Sequence, residues 1–131
     1  MTRINVIAPA DLTDAHLLAE YRELPRIFSL ARPDPKAPSR YTLGAGHVRF
    51  FYSRTGYLSR RQAALIAELV ARGFSPTHTT PPPPVPGLDG DWEPDDEAAG
   101  LNLARLRERL HERPGWYRWR GAVVGPDFYG V

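Results

Sequence analysis

Apolar residues recur with helical spacing in three parts of the chain. The first part is "DLTDAHLLAEYRELPRIFSLA", where they are separated by four, three and four residues, at Leu17, Tyr21, Leu24 and Phe28. This spacing predicts one helix with a single buried face. Asp11 and Thr13 are both candidate N-caps, and Pro25 is expected to bend the helix because it lacks a backbone N–H.

A second helical pattern follows in "SRRQAALIAELVARGF". Ser59 and Gln62, three residues apart, predict a capping box at its start. Gly73 followed by Phe74 predicts its end, because glycine adopts the left-handed conformation that closes a helix. The predicted inner face consists of Leu65, Ile66, Leu69 and Val70.

A third helical pattern runs from about Glu97 to Arg113 and is followed by Pro114. Its apolar positions, which are expected to face inward, are Leu103, Leu106 and Leu110. Arginines four residues apart form a basic stripe near the other side, at Arg105, Arg109 and Arg113.

The remaining segments are punctuated by proline and glycine. "VRFFY" could be a strand, but no second clear strand offers it a partner, so a buried irregular segment is expected. "PPPPVP" favours an extended strap on the surface, with a ligand for an aromatic groove as the alternative. The pattern therefore predicts an all-α fold, a compact single domain over residues 1–131 with three main helices and long irregular loops.

Length and composition narrow the class of protein. A chain of 131 residues can bury one modest core, and without cysteine it has neither disulfides nor thiolate metal sites. No apolar run approaches the roughly 18 residues of a membrane span. The first twenty residues contain Asp11, Asp14 and His16 and do not resemble a signal peptide. We therefore expect a cytoplasmic protein with no membrane partner.

Charge is distributed unevenly. Residues 89–97, "DGDWEPDDE", hold six acids and no base, while the rest of the chain has 17 basic and nine acidic residues, a net charge of +8. That excess suits a partner made of phosphates. A soluble surface with scattered arginines is the alternative, and charge alone leaves both open.

The basic residues are sixteen arginines and one lysine, Lys36. Arginine stays protonated and is a poor nucleophile, so the candidate attacking amines are Lys36 and the N-terminus. The α-amino group has a pKa of about 7.7–8.0, against about 10.4 for lysine, and is the readier nucleophile at neutral pH.

Other chemistry is not indicated. The four histidines lack close metal-ligand spacing, "GAGH" lacks the spacing of a dinucleotide or phosphate loop, and no serine lies in a hydrolase motif. "EYRELPR" places Glu23 among arginines, which describes either a solvated ion pair or a catalytic carboxylate. "WYRWRG" offers stacking faces and guanidinium groups for unstacked bases, or a small aromatic core.

Several segments taken together resemble the pyrimidine-dimer DNA glycosylase/AP lyase family. They are "MTRIN", "HLLAEYRELPR", "LGAGHVRFFY", "RRQAALIAELVARGF", "ARLRER" and "RPGWYRWRGAVV", in order along most of the chain. The resemblance implies a helical domain whose N-terminal segment threads between the helices. It also implies a repair enzyme that acts on double-stranded DNA containing UV photoproducts, without a metal or other cofactor, and that is expected to be a monomer.

The same resemblance implies the site residues. After removal of the initiator Met, the α-amine of Thr2 would form a Schiff base with the sugar, and Glu23 matches the catalytic carboxylate. The DNA-binding positions it implies are Arg3, His16, Arg22, Arg26, Arg105, Arg109, Trp116, Tyr117 and Arg118. The proline run, the acidic segment and the end "GPDFYGV" differ from the family's pattern. An abasic-site lyase with little dimer activity, and a non-catalytic DNA-binding module, remain alternatives.

Overall fold

The computed structural model describes residues 3–130, and helices dominate it. Its regular elements are a 3-10 turn at Pro9–Asp11, α1 (Asp14–Glu23), α2 (Arg26–Leu30), α3 (His47–Phe50), α4 (Thr55–Ala71), α5 (Asp96–Glu112), β1 (Arg118–Trp119) and β2 (Ala122–Val123). The mostly helical architecture is confirmed. Besides the helices, β1 and β2 pair antiparallel in one small hairpin. None of the helices among residues 3–130 is long and apolar enough to cross a lipid bilayer.

The first predicted helix is two helices. Thr13 is the N-cap of α1, and its side chain accepts a hydrogen bond from the backbone N–H of His16. Pro25 does more than bend the helix, since α1 ends at Glu23 and α2 starts after the proline. In α2 the fully buried side chain is Ile27, whereas Phe28 is only partly buried.

The predicted start of α4 is wrong. The helix begins at Thr55, one turn before Ser59, because the proline-rich segment supplies the cap. The backbone N–H of Thr55 donates to Leu88 O at 3.0 Å, and that of Tyr57 donates to Gly90 O at 3.1 Å. These carbonyls satisfy helix N–H groups that a local capping box would otherwise serve. Gln62 instead donates its side-chain amide to Tyr21 O.

The proline-rich segment crosses closely over this end of α4. The Ser59 hydroxyl donates to Pro82 O at 2.8 Å, and the Val85 N–H donates to the Thr55 hydroxyl at 2.9 Å. A side chain at Gly56 would collide with the backbone oxygen of Asp89. The backbone of the proline-rich segment therefore packs directly on α4. Glycine is required at position 56, where the two segments come closest.

The predicted end of α4 is confirmed. Gly73 has a φ of 89°, and the N–H groups of Gly73 and Phe74 donate to Val70 O and Leu69 O, both at 3.0 Å. This pair of bonds is a Schellman stop. Val70 was predicted to face inward, but it is 57% exposed because it lies at the outer edge of the last turn.

The third predicted helix agrees with α5 to within one residue at each end. Asp95 is the N-cap and accepts from the N–H of Ala98 at 2.8 Å. Leu106 and Leu110 are buried and Leu103 is partly buried, as the spacing predicts. The segment "VRFFY" was expected to be irregular, but its first three residues belong to the short helix α3, which begins at His47.

The hydrophobic core lies between α1 and α4 and extends beneath α5. Its fully buried leucines come from all three helices and include Leu17, Leu58, Leu65, Leu69 and Leu106. An aromatic cluster continues this core toward α3, where Tyr41, Phe50, Phe51, Tyr57 and Trp92 pack ring against ring.

The C-terminal hairpin is anchored to the start of α1. Its turn residues Arg120 and Gly121 have φ angles of 50° and 83°, and both donate backbone N–H groups to the carboxylate of Asp14, at 3.0 and 2.9 Å. The indole N–H of Trp119 donates to Ala10 O at 2.9 Å. The tail is thereby held against the helix that carries His16 and Glu23.

Candidate functional site

The segment that follows Thr2 is held by side chains rather than by a neighbouring strand. The Ile4 N–H donates to Nε2 of His47 at 2.8 Å, and the hydroxyl of Tyr41 donates to Ile4 O at 2.9 Å. The Val6 N–H donates to the side-chain oxygen of Asn102 at 2.8 Å. Because these partners come from two separate parts of the chain, the stretch at 41–47 and α5, the position of the segment depends on the tertiary fold.

A buried ionic network lies beneath this segment. Glu20 on α1 is 1% exposed and accepts two hydrogen bonds from the guanidinium of Arg61, at 2.8 and 3.0 Å. Asn5 donates to the same carboxylate at 3.0 Å, and Asn102 donates to Asn5 at 2.7 Å. The network ties the N-terminal segment to α1, α4 and α5.

An open cavity of about 300 Å³ lies above the network, between the N-terminal segment, α1, α5 and the tail. Six residues that the sequence implicates line it: Arg3, His16, Glu23, Arg105, Arg109 and Tyr117. Six others line it too: Asn5, Ala19, Glu20, Leu106, Glu112 and Arg113. Helical spacing could have indicated Glu20, which lies four residues after His16, whereas no signal in the sequence pointed to Glu112.

Positive charge dominates the inner wall of the cavity. Burial lowers the pKa of the Arg3 guanidinium below its usual value, and the nearby charges of Arg105 and Arg109 lower it further. Nη1 of Arg3 is buried and has no hydrogen-bond partner among residues 3–130. A cluster of like charges with an unpaired buried donor is stabilised by an anion, and phosphate fits guanidinium geometry well.

His16 faces the same cavity as a neutral imidazole. Burial lowers its pKa to about 4, and the charges of Arg109 and Arg3 contribute in the same direction. Its ring stacks on Tyr117, with the centroids 4.8 Å apart. At neutral pH the side chain can therefore donate or accept one hydrogen bond without adding charge.

Glu23 lines the cavity and is partly exposed to solvent. Its side chain is 34% exposed, and its carboxylate accepts a hydrogen bond from Nη1 of Arg26 at 2.7 Å. A partly exposed carboxylate at the edge of a cationic cavity can stabilise positive charge on a bound group or accept a proton from it.

Four of the implicated residues lie outside the cavity. Arg22 lines a separate depression with Tyr21, Pro25 and Thr77. Arg26 forms an ion pair with Glu23 but does not line the cavity. Trp116 and Arg118 do not line the cavity either.

The two tail residues differ in their surroundings. Trp116 is 51% exposed, and the guanidinium of Arg113 lies 4.1 Å from its ring centroid. Arg118 donates to Gly121 O within the hairpin. Trp116 is therefore an accessible aromatic surface beside the cavity, while Arg118 belongs to the exposed face of the hairpin.

Thr2, the candidate nucleophile, lies outside the described residues. Its chain neighbour Arg3 lines the cavity. Between residues 3 and 130, no three His, Asp or Glu side chains come together in a way that could hold a metal ion.

Residues 1–81 of the chain match the sequence model of a family described as pyrimidine dimer DNA glycosylase. The matched part includes Arg3, His16 and Glu23. The α5 arginines and Tyr117, which complete the cavity, lie beyond it.

Proposed function

Since this chain belongs to the pyrimidine dimer DNA glycosylase family, we propose that it excises the 5′ base of a cyclobutane pyrimidine dimer through an N-terminal Schiff base and then cuts the strand by β-elimination. Its family indicates repair of DNA that contains pyrimidine dimers. The bifunctional glycosylase and lyase chemistry is our proposal. We further propose that residues 1–131 act as one domain and as a monomer.

One observation carries this proposal. A single open cavity is lined by a carboxylate, Glu23, by three arginines, and by the residue bonded to Thr2. An imine-forming reaction on DNA needs these groups together, namely an amine, a carboxylate and phosphate-binding cations.

The nucleophile in this scheme is the α-amine of Thr2, exposed when the initiator Met is removed. We propose that the N-terminal segment passes between the helices and presents this amine at the cavity. Its intrinsic pKa of about 7.7–8.0 leaves a sizeable fraction unprotonated at neutral pH. The cationic wall formed by Arg3, Arg105 and Arg109 disfavours the ammonium form and raises that fraction.

The chemical steps follow from this arrangement. The Thr2 nitrogen bonds to C1′ of the 5′ sugar, and the glycosidic bond breaks with its electron pair leaving on the base, which takes up a proton. Opening of the C1′–O4′ bond, with O4′ taking up a proton from water, leaves a protonated imine, whose charge Glu23 stabilises. Transfer of a C2′ proton to water breaks the C3′–O3′ bond and expels the 3′ phosphate, and water then hydrolyses the imine.

Arginines hold the DNA during these steps. Arg3, Arg105 and Arg109 line the cavity and are placed to bind phosphates that flank the lesion, while Arg22, Arg26, Arg118 and Trp116 serve the surrounding surface. A pyrimidine dimer stacks poorly, so its duplex is easier to bend and open than undamaged DNA. We propose that a base of the complementary strand is flipped out to give the amine access to C1′.

Borohydride trapping tests the nucleophile. Reduction during reaction with a dimer-containing duplex is expected to yield a covalent protein–DNA adduct that mass spectrometry locates on Thr2. Blocking the N-terminus is expected to abolish the adduct, whereas Lys36→Arg is expected to leave it unchanged. An adduct on Lys36, or no adduct at all, contradicts the mechanism.

Incision assays separate this function from its alternatives. An abasic-site lyase would cut an abasic duplex but leave UV-irradiated plasmid intact, and a DNA-binding module would bind both and cut neither. We expect incision of both substrates, and we expect it to persist in chelator because no step uses a metal.

A further inference from the structure

The C-terminal segment reaches beyond the hairpin and returns to α1. Its Tyr129 is 7% exposed, and its backbone oxygen accepts a hydrogen bond from Nε of Arg107 on α5 at 3.1 Å. Phe128 packs against the Tyr129 ring with the centroids 5.0 Å apart. The segment therefore delivers one tyrosine hydroxyl to a defined place at the start of α1.

That hydroxyl meets His16. The Tyr129 oxygen lies 2.8 Å from Nδ1 of His16 and accepts a hydrogen bond from the Thr13 N–H, also at 2.8 Å. The Thr13 hydroxyl is 2.8 Å from the same Nδ1. Thr13 and Tyr129 are not among the residues that line the cavity, whereas His16 is. The Nδ1 edge of the ring therefore contacts protein groups outside the cavity.

The hydrogen-bond inventory favours one arrangement of protons. The hydroxyls of Tyr129 and Thr13 both lie 2.8 Å from Nδ1 of His16, and each oxygen already accepts a backbone N–H, from Thr13 and His16 respectively. Their two protons therefore need an acceptor, and Nδ1 of His16 is the nitrogen placed to accept. His16 is neutral at pH 7, so only one of its ring nitrogens carries hydrogen. When Nδ1 accepts, the hydrogen is on Nε2.

We propose that Tyr129 is a positioning residue that holds His16 in the Nε2–H tautomer and presents this N–H to an oxygen of the nucleotide bound in the cavity. Its consequence for catalysis rests on the proposed function. The acceptor is a deoxyribose or phosphate oxygen of the nucleotide whose C1′ reacts.

Packing alone does not account for the contact. Tyr117 already covers one face of the His16 ring, and Phe128 already fills the space beside Tyr129. A phenylalanine at position 129 would keep the ring contacts and would lose only the hydroxyl, which would leave the Thr13 N–H without its acceptor.

The first test is nitrogen NMR of the full chain, which distinguishes a protonated from an unprotonated ring nitrogen. We expect Nε2 of His16 to carry the proton at pH 7 and Nδ1 to be unprotonated. In Tyr129→Phe we expect the two tautomers to mix. A wild-type protein with hydrogen on Nδ1, or a variant with an unchanged His16 spectrum, overturns the proposal.

The second test is single-turnover excision on a dimer-containing duplex. We expect Tyr129→Phe to slow excision about tenfold, which corresponds to the loss of one hydrogen bond, with Kd changed less than twofold. Phe128→Leu removes packing from the same segment but keeps the hydroxyl, and it is expected to excise at the wild-type rate. Equal losses in both variants, or no loss in Tyr129→Phe, overturn the proposal.

Failure of the proposed function would be recognised separately. If the wild-type protein forms no borohydride-trapped adduct, the proposed function fails, while the NMR experiment still decides how Tyr129 orients His16. If the adduct forms but the tautomer is wrong, only the inference about Tyr129 fails.

Discussion

Glu20 and Glu23 lie one turn apart on α1, and each is paired with arginine, yet their surroundings differ completely. Glu20 has a fully buried side chain and is held by Arg61, which is itself 6% exposed. Glu23 is 34% exposed, and its partner Arg26 is 66% exposed.

The difference in burial assigns different work to the two carboxylates. An exposed ion pair contributes little to stability, because water and salt compete with it. A buried pair that loses one partner leaves a charge without solvent or counterion, which is strongly destabilising. We therefore regard the Glu20–Arg61 network as the support of the site and Glu23 as a group available for chemistry.

The largest expected effect is a difference in unfolding free energy between variants of Glu20 and Glu23. Glu20→Gln leaves Arg61 buried without its counter-charge and is expected to lower the free energy of unfolding by about 3–5 kcal/mol. Glu23→Gln is the matched control and is expected to change it by less than about 1 kcal/mol. Urea unfolding followed by circular dichroism measures both variants. Equal losses in the two variants would show that burial does not distinguish them.

The second prediction concerns activity, where we expect the exposed Glu23 to be the more important of the two carboxylates. Glu23→Gln removes the charge that stabilises the imine and is expected to slow strand cleavage on the order of 100-fold or more, with Kd for dimer-containing DNA within about threefold. Glu97→Gln makes the same charge change at the start of α5, outside the cavity, and is expected to cleave normally. Normal cleavage by Glu23→Gln would remove this residue from its proposed role.

The third prediction concerns the two buried histidines and the stability of the fold at acid pH. Burial lowers the pKa of His47 to about 4, and the same cause lowers that of His16 to about 4. The unfolded chain therefore binds more protons between pH 6.5 and 4, so the stability contributed by the neutral rings is complete above pH 6.5 and is lost as pH falls through 4. We expect a loss of about 3 kcal/mol per ring.

Two histidine variants check the source of this pH dependence. His47→Gln is expected to flatten the decline in unfolding free energy between pH 6.5 and 4, because the ring that accepts the Ile4 N–H is gone. His111→Gln, at an exposed position on α5, is expected to leave the decline unchanged. The same slope in all three proteins would mean that other groups cause it.

The smallest expected effect concerns the cavity arginines and the salt dependence of DNA binding. Arg109→Gln removes one cavity cation, and the slope of log Kd against log salt concentration is expected to decrease in magnitude by about 0.9. Arg60→Gln is the control, because Arg60 does not line the cavity and is paired with Asp91 and Glu93, whereas Arg109 lines the cavity and is paired with Glu112. Fluorescence anisotropy titrations at several salt concentrations measure the slopes. A slope that changes as much in Arg60→Gln would indicate only an effect of net charge.

The sequence by itself determined those helix ends whose capping residues lie next to them in the chain. The Schellman stop at Gly73 and the bounds of α5 were predicted closely, because a cap and its partner lie within one turn of each other. The cationic character was equally readable from the arginines, and the family resemblance implicated His16 and Glu23, which both line the cavity.

Only the tertiary structure decided the helix caps and side-chain partners that come from distant parts of the chain. α4 starts at Thr55 because carbonyls more than thirty residues away cap it. Glu20 is sealed because Arg61 reaches it from another helix, and Tyr129 reaches His16 from the far end of the chain. Burial and partner choice depend on which segments the core brings together, and the pattern within any one segment does not contain that information.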